Sequence, residues 1–313
     1  GSASDVVTVT IVGTNEAPVL SLSTQAGSVT ETAVAPVLSL STQAGSVTET
    51  AVAAELLTNA GTFTYTDLDT TDTHTVSVSG PLAPVGALTA SDVNGTVSWN
   101  FAVANSAVQH LAAGETLVQA FTVTVSDTHG GSASDVVTVT IVGTNEAPTI
   151  VAGSTTPTGA ITEAAGTGLV TLDAVSGSIA FADVDLTDAH TVSAGAPSYV
   201  WSGGTLSVAQ QTALNTAITF ALGAKVDTTG TGAGGTQAWS FSAADNTFDF
   251  LAAGQTLTSS YAVTVNDGHG GTVVQNVVVT VTGTNDTPTI VAGSTTPTGA
   301  ITEAAGTGLV TLD

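Results

Sequence analysis

The amino-acid sequence predicts an all-β protein made of tandem β-sandwich domains in an extended array. Three features point there. Apolar residues alternate with Thr and Ser over stretch after stretch, the composition is rich in Val, Thr, Ser and Gly, and long segments return letter for letter. Alternation at period two marks a strand with one buried face, and Thr and Val suit a pleated, half-buried surface.

In chain order, Thr62–Thr66, Thr73–Ser79 and Gly95–Ala102 read as short strands punctuated by Gly, Pro and Asp clusters. Thr116–Ser126 alternates over a longer span, and Ser134–Gly143 sets Val137, Val139 and Ile141 against Thr138, Thr140 and Val142. Thr256–Val265 repeats the pattern further on. Leu206–Leu222 is the one stretch with the makings of a short helix, and the Gly-rich Thr228–Thr236 reads as a loop. About seven strands in a unit of roughly 100 residues is the signature of an immunoglobulin-like sandwich. Trp99 and Trp239 fall at alternating positions that predict burial, whereas Tyr199 and Trp201 read as an exposed pair.

Duplication sets the domain plan, and an internal repeat outranks local propensity. GSASDVVTVTIVGTNEAP occurs at 1–18 and 131–148, and GTNEAP at 13–18 and 143–148 is echoed by GTNDTP at 283–288, at intervals of 130 and 140 residues. TIVAGSTTPTGAITEAAGTGLVTLD occurs at 149–173 and again at 289–313, and PVLSLSTQAGSVTETAVA occurs twice in succession, at 18–35 and 36–53. The plan that follows is a terminal strand of one repeat at 1–17, a sandwich at 18–148 carrying the duplicated segment 18–53, a second sandwich at 149–288, and the first strands of another repeat at 289–313. Of the two 18-residue copies, one is expected to pair and the other to serve as linker or surplus edge strand.

The charge excludes whole classes of partner. The chain carries 25 acidic residues against a single Lys225, a net charge of −24, so it repels phosphates and anionic headgroups and attracts cations. Nucleic acid and membrane insertion are not expected, and no apolar run is long enough to span a bilayer. The first residues do not read as a signal peptide. With no cysteine, there is neither a disulfide framework nor a thiolate metal site.

The runs FTVTVSDTHGGSASDVVTVTIVGTNEAP and YAVTVNDGHGGTVVQNVVVTVTGTNDTP, with TYTDLDTTDTHTVSVSG at 64–80, AFADVDLTDAHTVSAG at 180–195, and LAAGETL and LAAGQTL, resemble the VCBS repeat of large bacterial surface and biofilm proteins, many of them RTX adhesins. The resemblance implies an extracellular, cadherin-like β-sandwich strung in tandem on a bacterial cell surface, without a catalytic role. The same letters are similar to cadherin repeats, in which a D-x-D loop, a lone Asp before the last strands and an N-D-x-P linker meet at a calcium cluster. That similarity implies Asp67, Asp69 and Asp127 with Asn15 and Glu16 for the first sandwich, and Asp183, Asp185 and Asp267 with Asn145 and Glu146 for the second. It implies Asn285 and Asp286 in the last linker, and Glu31, Glu49 and Glu163 as glutamates lent by the preceding domain. Gly143 stands where a cadherin linker carries a further acid, which implies fewer ions or weaker binding.

The chemistry agrees with Ca²⁺, a hard cation that takes about six to eight oxygen ligands. A D-x-D loop aims two carboxylates at one point, although Asp and Asn also favour turns for their own sake. For an extracellular module the affinity is about 10⁻⁴–10⁻³ M. The histidines lie near acids, His74 and His190 close to Asp72 and Asp188, and His129 and His269 two residues after Asp127 and Asp267. Zinc wants three or four N or S ligands, so a ring hydrogen-bonded to a turn carboxylate or carbonyl is the simpler expectation.

Catalytic motifs are missing. There is no G-x-S-x-G elbow, and carboxylates that recur once per repeat do not suit a glycosidase pair. Gly230, Gly232 and Gly235 satisfy G-x-G-x-x-G, but strand-like QAWSFSA follows where a helix is required. The expected role is therefore extension of a surface adhesin or matrix fibre, with neighbouring repeats as first partners. Two other roles stay open: a filament subunit in which an orphan strand completes a sheet of another copy, and a module for surface glycans or proteins using Trp201 and Tyr199.

Overall fold

The computed structural model describes residues 34–39, 42–227, 234–288 and 299. The terminal segments assigned above to neighbouring repeats, 1–17 and, Gly299 apart, 289–313, lie outside the described residues, as do 18–33.

The described strands form two β-sandwiches. In the first, β1 (Val37–Leu38), β3 (Leu56–Thr66), β6 (Thr96–Ala104) and β5 (Ala87–Val93) make one sheet in the order β1-β3-β6-β5. β2 (Gln43–Thr48), β8 (Ser132–Val142), β7 (Thr116–Asp127) and β4 (His74–Ser79) make the other, in the order β2-β8-β7-β4. The entering segment thus changes sheets: β1 pairs antiparallel with β3, and β2 then runs parallel to β8. Both β1 and β2 come from the second 18-residue copy, residues 36–53.

The second sandwich repeats this plan with β9 (Thr149–Ile150), β10 (Thr158–Thr162), β11 (Leu172–Ala182), β12 (Thr191–Ala194), β14 (Thr219–Asp227), β15 (Gly235–Ala244), β16 (Thr256–Asn266) and β17 (Thr272–Thr282). Here β10 is the strand parallel to β17. An insertion adds β13 (Ser198–Trp201), paired with β16, and the helix α1 (Val208–Ala217). A capping box starts α1: Gln210 N donates to Ser207 Oγ at 3.3 Å while Ser207 N donates to Gln210 Oε1 at 2.9 Å, which satisfies two otherwise orphaned amides. Gly235 and Thr236, expected in a loop, already belong to β15, where they pair with Phe181 and Ala180.

Alternation decides which face is buried. Val137, Val139 and Ile141 of β8 are fully buried, as are Val277, Val279 and Val281 of β17, each contributing about 1.5–3 kcal/mol relative to exposure. Trp99 and Trp239 lie in the two cores, with Nε1 of Trp99 donating to Gln43 Oε1 at 2.9 Å and that of Trp239 to Thr156 O at 3.0 Å. A glycine on the neighbouring strand makes room for each ring: a Cβ on Gly61 would stand 2.5 Å from Trp99 Cζ2, and one on Gly177 2.6 Å from Trp239 Cζ2. Trp201 and Tyr199 are half-buried rather than exposed. Trp201 packs edge-on to Phe250 and donates to Gln255 Oε1 at 3.2 Å, and Tyr199 Oη donates to Asn215 Oδ1 at 2.9 Å, so the insertion uses both to anchor itself.

Gly177→Ala is expected to destabilise the second sandwich by about 1–3 kcal/mol through overpacking against Trp239. Gly153→Ala, whose Cβ meets nothing within 4 Å, is expected to stay within about 0.5 kcal/mol of wild type. Denaturant melts of the two variants check the pair.

Candidate metal centre at the domain junction

The parallel pairing of β2 with β8 determines what stands at the far end of the first sandwich. It carries Glu49 one residue past the pairing, where Glu49 N donates to Val142 O at 2.9 Å, and the linker leaves from the same end. Glu49 is buried. Its Oε2 accepts from Thr144 N at 3.2 Å and its Oε1 from Gln109 Nε2 at 2.7 Å. Gly143 opens the linker, with its N–H on Glu115 O at 2.8 Å. A Cβ there would run into Leu111 O and come within 2.5 Å of Ala112 O, which is the steric reason this position carries no acid.

The linker then enters the second sandwich as β9, paired with Phe181 and Ala182, so it passes directly beside the D-x-D loop. Asp183 and Asp185 are buried there, and Asp267, at the end of β16, is buried beside them. Asp183 Oδ1 accepts from Asp185 N at 3.1 Å and Asp185 Oδ2 from Glu146 N at 3.0 Å. Asp267 Oδ1 accepts from the backbone N–H groups of His269 and Gly271 at 2.7 and 3.0 Å, and its Oδ2 from Asn145 Nδ2 at 3.0 Å. The crossing is tight: a Cβ on Gly271 would overlap Asp267 Oδ2 and stand 2.7 Å from the Cα of Ala147. The loop also reaches back to the first sandwich, with Leu186 N donating to His110 O at 3.3 Å and Thr187 Oγ1 to Glu115 Oε2 at 3.3 Å.

The junction therefore gathers Glu49, Asn145, Glu146, Asp183, Asp185 and Asp267, and adds Asp188, which sequence reasoning missed. Ligand oxygens of Asp183, Asp188 and Asp267 lie within 4.8 Å of one another. Asn145 Oδ1, Glu146 Oε2, Asp185 Oδ1 and Asp188 Oδ2 are buried without a hydrogen-bond donor among the described residues. Buried carboxylate oxygens without donors are costly, and the electrostatics show it. Burial, with Glu146, Asp183 and Asp188 nearby, pushes the Asp185 carboxyl up to about 7. Burial also raises Glu49, Glu146 and Asp188. Asp267 is buried too, but its hydrogen bonds from Asn145 and the His269 and Gly271 amides outweigh that and hold it below the usual range. Oxygen-only donors from two folded units and a linker suit Ca²⁺.

The top of the first sandwich has the same frame with fewer donors. Ligand oxygens of Asp67, Asp72 and Asp127 lie within 4.8 Å of one another, Asp67 Oδ1 accepts from Asp69 N, and Asp69 Oδ2 accepts from Val34 N at 3.0 Å. Val34 thus sits where Glu146 sits in the second sandwich, and Ala35 packs against Gly131 as Ala147 does against Gly271. Asn15, Glu16 and Glu31 lie outside the described residues, and the place expected of Glu16 is held by Val34, whose side chain offers no oxygen. Glu163, Asn285 and Asp286 stand at the base of the second sandwich, away from this junction, where Thr284 N donates to Glu163 Oε2 at 3.1 Å and Gly166 N to Asp286 Oδ1 at 2.7 Å. Two acids there, Asp245 and Asp249, were not singled out from the sequence, although both lie in the segment DNTFDF just before LAAGQTL.

Four of the five histidines hold a carboxylate, and not always the one nearest in sequence. His74 reaches Asp67 at 2.9 Å, and His190 reaches Asp183 and Asp227, each at 3.1 Å. Asp72 and Asp188 are met instead by His129 and His269, at 3.0 and 3.1 Å. The single lysine is used close by, with Lys225 Nζ 3.1 Å from Asp227 Oδ2 and also donating to His190 O.

No protein-family model matches the sequence, and no curated protein matches it. Among solved structures, the chain is similar to extracellular cadherin domains 1–3 of protocadherin gamma C5, at 12% identity and a TM-score of 0.34, over 79% of this chain and 68% of that one. It is similar to cadherin-like domains 1–4 of zebrafish RET, at 13% identity and a TM-score of 0.29, over 67% of this chain and 42% of that one. It is also similar to the sialic-acid-binding region of a Streptococcus sanguinis adhesin, at 12% identity and a TM-score of 0.26, over 82% of this chain and 79% of that one. Likeness at this level says nothing of the site.

The raised Asp185 carboxyl fixes a pH dependence. The unfolded chain releases this proton near 3.8 and the folded chain only near about 7, so between those values the folded state holds more protons and stability falls as pH rises. Glu49, Glu146 and Asp188, also raised, add to the same slope; Asp67, Asp227 and Asp267, held low, act below that window. In chelator, urea melts are expected to show lower stability at pH 8 than at pH 5, with the difference reduced in Asp185→Asn. A difference that Asp185→Asn leaves unchanged contradicts this.

Proposed function

We propose that this chain is a segment of a non-enzymatic extender, in the manner of a VCBS repeat, from a bacterial cell-surface or secreted fibrous protein, and that calcium stiffens the array at the junctions between its sandwiches. One observation carries the reading. Asn145 and Glu146 of the linker and Asp183, Asp185, Asp188 and Asp267 of the next sandwich converge beside the end of the first, and several of their buried oxygens have no donor among the described residues.

The residues divide the work. Asp183 and Asp185 are aimed by their own turn, with Asp183 Oδ1 taking the Asp185 N–H, while His190 fixes the far oxygen of Asp183. Asp267 is oriented by the amides of the His-Gly-Gly turn and by Asn145. Glu146 presents a side-chain oxygen from the linker while its own N–H is tied to Asp185. When bound, Ca²⁺ supplies the positive charge and coordination that these oxygens lack. Without it the like charges repel, and what spans the junction is a linker and a few single hydrogen bonds. Such arrays gain stability unit by unit and junction by junction, and a strand of ten residues spans about 33 Å, so each sandwich adds a few nanometres to a rod. An extender needs no reaction, and four of the five histidines are spent on holding carboxylates.

Small-angle scattering and limited proteolysis with a protease of broad specificity test the reading. Chelator is expected to broaden the distribution of end-to-end dimensions and to speed cleavage within 143–148, and calcium to reverse both. Asp185→Asn is expected to weaken calcium binding by about tenfold or more, since a hard-ion site loses a carboxylate. A scattering profile indifferent to calcium contradicts the proposal.

A further inference from the structure

The bases of the two sandwiches are built on one frame with opposite chemistry. In each, a glutamate follows the strand parallel to the last strand, and a short 3₁₀ turn precedes the Leu-Ala-Ala-Gly run. In the first sandwich Asn105 opens that turn and Gln109 follows it; in the second, Asp245 and Asp249 stand at the same places. One strand over, Leu57 of β3 corresponds to Asp173 of β11, four residues before the glycine that makes room for each tryptophan.

The amides of the first base satisfy everything around them. Asn105 Oδ1 accepts from Thr50 N at 3.2 Å, and its Nδ2 donates to Thr50 O at 2.5 Å and Val52 O at 3.1 Å. Gln109 Nε2 donates to Glu49 Oε1 at 2.7 Å and Thr50 O at 2.9 Å. In the second base the accepting half is kept and the donating half is gone. Asp245 Oδ1 accepts from Ala164 N at 2.7 Å, as Asn105 does from Thr50 N, and Asp249 Oδ2 accepts from Gly168 N at 2.8 Å. Glu163 Oε1, Asp245 Oδ2 and Asp249 Oδ1 are buried with no donor among the described residues. Glu163 is 1% exposed and Asp245 0%, so both are shielded from bulk solvent. Ligand oxygens of the three residues lie within 4.8 Å of one another. Asp173 faces Asp245, and burial followed by that neighbour raises its carboxyl. One proton shared between those two still leaves Glu163 Oε1 and Asp249 Oδ1 without a donor.

We propose that Glu163, Asp245 and Asp249 form a second divalent-cation site, within the base of the second sandwich, and that the first sandwich has exchanged the equivalent ion for the side-chain amides of Asn105 and Gln109. The inference rests on the calcium reading of the junction and sharpens it: the end of the first sandwich holds its glutamate without metal, and the end of the second does not. Successive junctions of one array then differ in how much calcium they need, with the all-oxygen donor set selecting a hard ion such as Ca²⁺.

Calcium stoichiometry, measured by equilibrium dialysis with metal analysis on the full chain, tests this with three variants. D245N/D249Q is expected to bind at least one ion fewer than wild type, and in chelator to melt at a higher temperature, because the amides restore the missing donors. N105D/Q109D is expected to melt lower in chelator, to be rescued by calcium and to bind at least one ion more. D185N/D188N separates this site from the junction. Ions lost from D185N/D188N but not from D245N/D249Q overturn this proposal and leave the junction reading standing. Ions lost from D245N/D249Q alone support this site and count against the junction. A wild-type chain that binds no calcium overturns both.

Discussion

The arrangement of this chain turns on one constraint: carboxylates are gathered and buried where one sandwich meets the next, and they repel one another. The parallel pairing of β2 with β8 delivers Glu49 to the end from which the linker departs. The pairing of β9 with β11 then lays the linker against Asp183 and Asp185. Neither pairing favours the clustering of negative charge. A rise of the Asp185 carboxyl to about 7 is the local measure of that conflict. In a chain with one lysine and 25 acids, the protein has almost no cation of its own to offer. Lys225 is already committed to Asp227.

Everything else serves as frame. Two cores of Val, Ile, Phe and one central Trp each hold the sheets of the sandwiches together. Glycines set the closest approaches: Gly271 lets Ala147 lie on the loop that holds Asp267, and Gly143 lets the linker leave past Leu111. Histidines complete the frame by pinning the far oxygens of Asp67 and Asp183. Strain is thereby confined to a few carboxylate oxygens at the joints, where a bound ion has the most to stabilise.

Much of this was legible in the letters, because period-two alternation and exact repetition are strong signals. β7, β8 and β16 run within a residue or two of the stretches that alternate, and the D-x-D loops and linker acids stand out by recurrence. What was not legible depends on contacts between distant segments. Only pairing shows that the second 18-residue copy enters the sheets and that Val34 meets Asp69. Asp188 lies near His190 in sequence, but the fold gives it to His269, from the loop after β16. Asp245 and Asp249 lack the company of a D-x-D or an N-x-x-P pattern, and their significance appears only against Asn105 and Gln109 in the matching turn. Trp201 and Tyr199 looked exposed because they belong to an insertion with no counterpart in the first sandwich, and their partners Phe250, Gln255 and Asn215 are distant in sequence.

The most direct test of the central claim is an anomalous-scattering map from crystals grown in abundant calcium. The account predicts peaks at the joint between the sandwiches, coordinated by Asp183, Asp185 or Asp188 together with the linker's Asn145 or Glu146. A map with no peak there, and with these side chains turned out to solvent or sharing protons, would contradict it.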